Sequence, residues 1–136
     1  MIRHRTLLTA LLMTLVPGGA HSAVPPLIDA ASRGDTDTVR TLLRQGADVN
    51  EAQGDGMTAL HWAGEIGDAE LASVLLYAGI NLEAGTRIGN YTPLHVASRN
   101  GHAELVGILI AAGANVNAGT TNSGATPLHL AAASGS

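Results

Sequence analysis

Apolar positions along the chain fall into three stripes of one design. Val39, Leu42 and Leu43 recur at three- and four-residue spacing, as do Leu71, Val74 and Leu75, and again Leu105, Ile108 and Leu109. That spacing puts each trio on one face of a helix. It predicts long helices from about Thr36 to Gln45, Ala69 to Ala78 and Ala103 to Ala112. A shorter helical run precedes each of them, Leu27 to Gly34, Ala59 to Ile66 and Pro93 to Asn100, and Pro127 to Ser134 forms a fourth. Glycine stands where these runs must stop, as at Gly46, Gly79 and Gly113, because a helix commonly ends in a left-handed residue. Asp35 or Asp37 can cap the first long helix and complement its dipole. Residues 47–57 are rich in Ala, Asp, Asn and Gly with Val49 as the one apolar peg, which predicts an extended loop or hairpin.

A four-residue phrase marks the start of the short helices. Thr58-Ala59-Leu60-His61, Thr92-Pro93-Leu94-His95 and Thr126-Pro127-Leu128-His129 begin at 58, 92 and 126, a period of 34. A repeat of that length signals a solenoid of stacked units. Each residue type has a physical reason to stand where it does. Threonine caps the helix, proline fits the first turn where its missing N–H is not needed, leucine enters the core, and histidine bonds a neighbouring backbone. One hairpin cannot bury both its faces, whereas a stack buries a continuous seam.

These phrases, with Gly46-Ala47-Asp48-Val49-Asn50 echoed by Gly113-Ala114-Asn115-Val116-Asn117, resemble the ankyrin repeat from about Leu27 to the last residue. The first phrase departs from that family's pattern only in having Ala59 for proline. The resemblance implies an all-α solenoid of stacked helix-turn-helix hairpins with hairpin loops, about three full repeats plus a truncated fourth, and a role in binding other proteins. Repeats are expected at about 25–56, 57–90, 91–124 and, in part, 125–136. Gly46 precedes Thr58 by 12 positions, but Gly79 precedes Thr92 by 13 and Gly113 precedes Thr126 by 13. The later two loops are therefore expected to bulge. The last repeat reaches Gly135-Ser136 without a second helix, which reads as a truncated product, a fragment, or an end covered by a partner. Self-association through that uncapped repeat is a further expectation.

Residues 1–23 have another character. Arg3, His4 and Arg5 lead an apolar run from Leu7 to Val16, then Pro17-Gly18-Gly19 and small residues to Ala23. This is the layout of a secretory signal peptide, and the run is too short to span a bilayer. The sequence therefore divides into a signal peptide, 1–23, and a repeat domain, 24–136, exported to the periplasm or secreted, with no stable membrane insertion once the signal is removed. The layout suits a bacterial envelope.

Composition narrows the chemistry. There is no cysteine, phenylalanine or lysine, so the fold rests on aliphatic packing without disulfides or thiolate metal sites. Beyond residue 23 five arginines face eleven acids, a net of −6. An acidic surface without basic clusters excludes nucleic acid as the partner. His61, His95 and His129 recur in step, but equivalent positions in packed helices lie roughly 10 Å apart, too far to share one metal ion. They read as hydrogen-bonding staples between hairpins, and His102 in an inter-helix turn as a local hydrogen-bonder. No cysteine, Gly-x-Ser-x-Gly or phosphate-binding glycine loop is present, and Glu65, Glu70, Glu83 and Glu104 read as solvated acids, so no catalytic residue, cofactor or metal is assigned.

The remaining function is recognition of another protein. In ankyrin-like stacks the concave face is made by loop tips and the exposed side of the short helices. Carried onto this chain, those positions are Gln53, Asp55, Met57, Trp62, Glu65, Ile66, Arg87, Ile88, Tyr91, Arg99 and Asn100. Trp62, Tyr91 and Arg99 are of the types that dominate interface energetics. A secreted effector or toxin-associated domain, or a structural piece of a longer envelope protein, are the other readings.

Overall fold

The computed structural model describes residues 24–135; the signal-peptide assignment at 1–23 lies outside them. Among the described residues there are seven helices: α1 Pro26–Ser32, α2 Thr36–Arg44, α3 Ala59–Ile66, α4 Ala69–Tyr77, α5 Pro93–Arg99, α6 Ala103–Ala111 and α7 Pro127–Ser134. They form two layers. Short helices α1, α3, α5 and α7 pack in sequence order, and the longer α2, α4 and α6 pack in a second row behind them. The seam between the rows is the core, with Leu27, Ile28, Val39, Leu60, Leu71, Leu75, Leu94, Leu105 and Leu109 all essentially inaccessible to solvent. Burying one such leucine is worth about 2 kcal/mol.

The helix starts are built from the residues the sequence supplies there. Asp35 accepts from the Thr38 backbone N–H at 3.2 Å and from its hydroxyl at 2.7 Å, so Asp35 is the cap of α2. Asp68 repeats this for α4, accepting from Leu71 N–H at 3.0 Å. At α6 the equivalent residue is His102, whose side chain makes no capping bond. Thr92 and Thr126 start α5 and α7, their hydroxyls accepting from the backbone N–H of His95 and His129 at 3.3 and 3.4 Å. Gly64 lets α3 approach α5: a Cβ there would lie 3.1 Å from the Pro93 carbonyl oxygen.

Hairpin loops project from the stack, and their spacing shows in their hydrogen bonds. In the first, Gln53 N–H donates to Met57 O at 3.0 Å, next to an isolated Ala52–Thr58 bridge. In the second and third, Thr86 N–H reaches Tyr91 O and Thr120 N–H reaches Ala125 O, each at 3.0 Å and one residue further along. All three loops pass through left-handed backbone just before the closing residue, at Gly56, Asn90 and Gly124, and the second adds a left-handed Gly89. The Thr86 and Thr120 hydroxyls close the enlarged turns, accepting from Tyr91 N–H at 3.0 Å and Ala125 N–H at 3.1 Å.

Neighbouring loops are sewn together. Arg87 N–H donates to Asp55 O and Thr121 N–H to Gly89 O, both at 2.9 Å. At the base of the loops, Asn81 N–H donates to the Asn50 side-chain oxygen at 2.7 Å and Asn115 N–H to Glu83 Oε2 at 2.8 Å. Glu83, exposed as expected, also connects two repeats.

Candidate protein-interaction surface

Two histidines of the repeated phrase, His61 and His95, are held at both ring nitrogens. Nδ1 of His61 accepts the Thr58 backbone N–H at 3.0 Å, which requires that nitrogen to be unprotonated, so the proton sits on Nε2 and is donated to Tyr91 O at 2.8 Å. His95 repeats the arrangement, with Nδ1 3.0 Å from Thr92 N and Nε2 2.9 Å from Ala118 O and 3.1 Å from Ala125 O. Both rings are fully buried. Burial holds the His61 imidazole below its ordinary pKa, against the opposing pull of the Tyr91 carbonyl. His129 accepts from Thr126 N–H at 3.0 Å but lies exposed. Among the described residues no group of His, Asp or Glu is placed to hold a metal ion.

His102 departs from expectation: its partner is the Glu65 carbonyl oxygen, 3.2 Å away on the preceding repeat. It forgoes a capping role and gains a bond between hairpins. Gly67 makes room for the ring, since a Cβ there would fall 2.6 Å from His102 Nδ1.

On the loop side, Tyr91, Arg99 and Glu65 form a short relay. The Tyr91 ring meets His95 edge-on, centroids 5.8 Å apart at 70°. Arg99 lies over its face with the guanidinium carbon 5.5 Å from the centroid and reaches Glu65 Oε2 at 3.3 Å. Stacking and ion pairing together fix a long side chain that would otherwise sample many rotamers.

Tyr91 and Arg99 of this relay form one wall of an open groove of about 700 Å³. Of the residues nominated from sequence, Asp55, Met57, Arg87, Ile88, Tyr91 and Arg99 line it. Gly54, Thr86 and Val96 complete the lining; the apolar run of α5 hid Val96, and nothing marked the other two. Gln53, Trp62, Glu65, Ile66 and Asn100 are outside it. Trp62 is half-buried against the core and donates from Nε1 to the Gln53 side-chain oxygen at 3.1 Å. Ile66 lies against the first inter-helix turn, with its Cδ1 3.5 Å from where a Cβ on Gly34 would be. The Asn100 side-chain amide reaches Glu65 O at 3.5 Å.

On the opposite face, α2 and α4 flank a second groove of about 520 Å³ lined in part by Leu43, Val74 and Tyr77. Tyr77 is 96% exposed. It carries no repeat phrase to mark it, although its offset from the Leu71, Val74, Leu75 stripe already points it outward. Among the described residues no helix is long and apolar enough to cross a membrane.

Stacked helical hairpins with loops sewn edge to edge define a repeat solenoid that presents a surface. Residues 27–76 match a family model for ankyrin repeats in many copies, and residues 82–136 one for ankyrin repeats in three copies. The chain belongs to the ankyrin-repeat family, whose repeats bind other proteins. Curated relatives include the protein phosphatase 1 regulatory subunit 12B of Homo sapiens, 62% identical over 34 residues, which is 25% of this chain and 4% of that protein. The Mus musculus subunit 12B is 59% identical over the same share, and the Mus musculus subunit 12A is 62% identical over 34 residues, 3% of its length. The chain therefore spans only a few per cent of the length of the relatives it matches.

Proposed function

We propose that this chain is a non-catalytic protein-binding module working outside the cytoplasm, in the periplasm or as a secreted protein, and that its partner enters the groove between the first two hairpin tips and α5. One observation carries the site: residues far apart in sequence, Asp55 and Met57, Arg87 and Ile88, Tyr91 and Arg99, converge on a single concavity. Ile88 is 87% exposed there, and an exposed branched aliphatic beside an aromatic and an arginine has the composition of an interface anchor.

The test is a crosslinking pull-down with the full chain, with Ile88→Ala plus Arg99→Ala, and with Tyr77→Ala on the opposite face as control. Loss of partners with the first pair and retention with the control supports the groove. Equal recovery from the groove variant overturns it. Export rests on the sequence of residues 1–23 and is tested by N-terminal sequencing of the fractionated protein; an uncut chain in the cytoplasm overturns that part. Self-association belongs to the same reading, supported by Leu128 being 77% exposed on α7. Sedimentation that stays monomeric at every concentration removes it.

A further inference from the structure

The charges around the groove are less negative than the rest of the molecule. Residues 24–136 carry a net of −6, yet the charged groups lining the groove are Arg87, Arg99 and Asp55, and Arg99 is balanced by Glu65 at 3.3 Å. Arg33, Arg40 and Arg99 each have a carboxylate of this chain within 4 Å. Among the described residues Arg44, on the α2 face, has none, and within the groove Arg87 has none. Its Nη1 donates to Gly54 O at 3.0 Å, and its backbone N–H is fixed by Asp55 O at 2.9 Å, so the side chain is anchored at root and tip while most of its five N–H donors stay open. Asp55 does not compete for it: Oδ1 accepts Met57 N–H at 3.0 Å and Oδ2 accepts the Gln53 amide at 3.2 Å.

We propose that the groove takes a linear segment of its partner in which a carboxylate is flanked by apolar side chains, the carboxylate seated on Arg87 and the apolar groups on Ile88, Met57 and Tyr91. This rests on the groove being the binding site, as proposed above. A planar guanidinium held in place and lacking a counter-ion suits a carboxylate, which it meets with two parallel hydrogen bonds. The chain's overall negative field does not decide the matter, because exposed charges beyond about 8 Å are largely screened at physiological salt, whereas the groove's own charges touch the occupant. Apolar flanks follow from the exposed Ile88 and the half-buried Met57 and Tyr91.

The experiment titrates the isotope-labelled full chain with three short peptides that alternate leucine with glutamate, glutamine or lysine, reading backbone amide shifts. The glutamate peptide is expected to move the amides of residues 54–57 and 86–91, with the glutamine peptide bound about fivefold more weakly, the scale of one exposed ion pair. Arg87→Gln is expected to abolish that difference, and Arg44→Gln, on the α2 face, to leave it intact. High salt is expected to shrink it. Glutamine or lysine peptides binding as well as glutamate at those amides would overturn the carboxylate inference while leaving the groove standing. Shifts confined to the α2 and α4 face would overturn both. Silence from all three peptides overturns the inference, and the pull-down then judges the groove alone.

Discussion

His61 Nε2 stands 2.8 Å from the carbonyl oxygen of Tyr91, thirty residues later in the chain. The bond joins the start of one short helix to a residue two positions before the next short helix begins, so the groove's aromatic wall is held by the repeat behind it. Removing the imidazole leaves a carbonyl without its donor and a cavity in its place. His61→Ala is expected to lower unfolding free energy in urea by about 2 kcal/mol or more. A loss below about 0.5 kcal/mol would show that the bond carries little weight.

The same ring makes stability depend on pH. An unfolded histidine titrates near 6.5, and burial holds His61 below that in the folded chain. Below about pH 6.5 the unfolded state therefore binds more protons than the folded one. The contribution is complete above that value and is lost as pH falls toward the folded pKa, at up to about 1.4 kcal/mol per pH unit for one group. Urea midpoints measured from neutral pH downward should fall, and His61→Ala should flatten the curve. A midpoint independent of pH in that window contradicts the neutral-ring geometry.

Two glycines should respond to alanine with opposite signs. Gly67 has φ +76° and would push a methyl into the His102 ring; Gly67→Ala is expected to destabilise by about 1–3 kcal/mol. Gly107 lies exposed inside α6 with nothing within 4 Å of its would-be Cβ. Gly107→Ala is expected to raise stability by about 0.5–1 kcal/mol. Thermal melts of the two variants moving the same way would refute the contrast.

Leucines of the repeat phrase are not equivalent. Leu60 is fully buried and Leu128 is 77% exposed. Leu60→Ala is expected to cost about 2–5 kcal/mol, against about 0.5 kcal/mol for Leu128→Ala. Comparable losses in chemical denaturation would mean that α7 is covered in solution.

Much of the architecture was legible in the sequence. The Leu and Val stripes and the Thr-Pro-Leu-His phrases placed the helices to within a residue or so, because capping, proline placement and glycine stops are local effects. The surplus loop residue, counted from Gly79 to Thr92, reappears as the longer closure from Thr86 to Tyr91. What escaped are bonds between residues made neighbours only by stacking: His102 to Glu65, Glu83 to Asn115, and Arg99 to Glu65. Trp62 was nominated for its type, but type does not reveal that its indole N–H is already used by Gln53.

The edge-to-edge bonds between loops, Asp55 to Arg87 and Gly89 to Thr121, have a consequence for recognition. Since each loop is tied to the one before it, the tips advance in fixed steps of roughly 10 Å, the spacing of packed helices. Such a surface behaves as a ruler: a bound segment is measured by which steps its side chains reach, so shifting a contact by one loop changes the length of partner required while leaving the chemistry of each step alone.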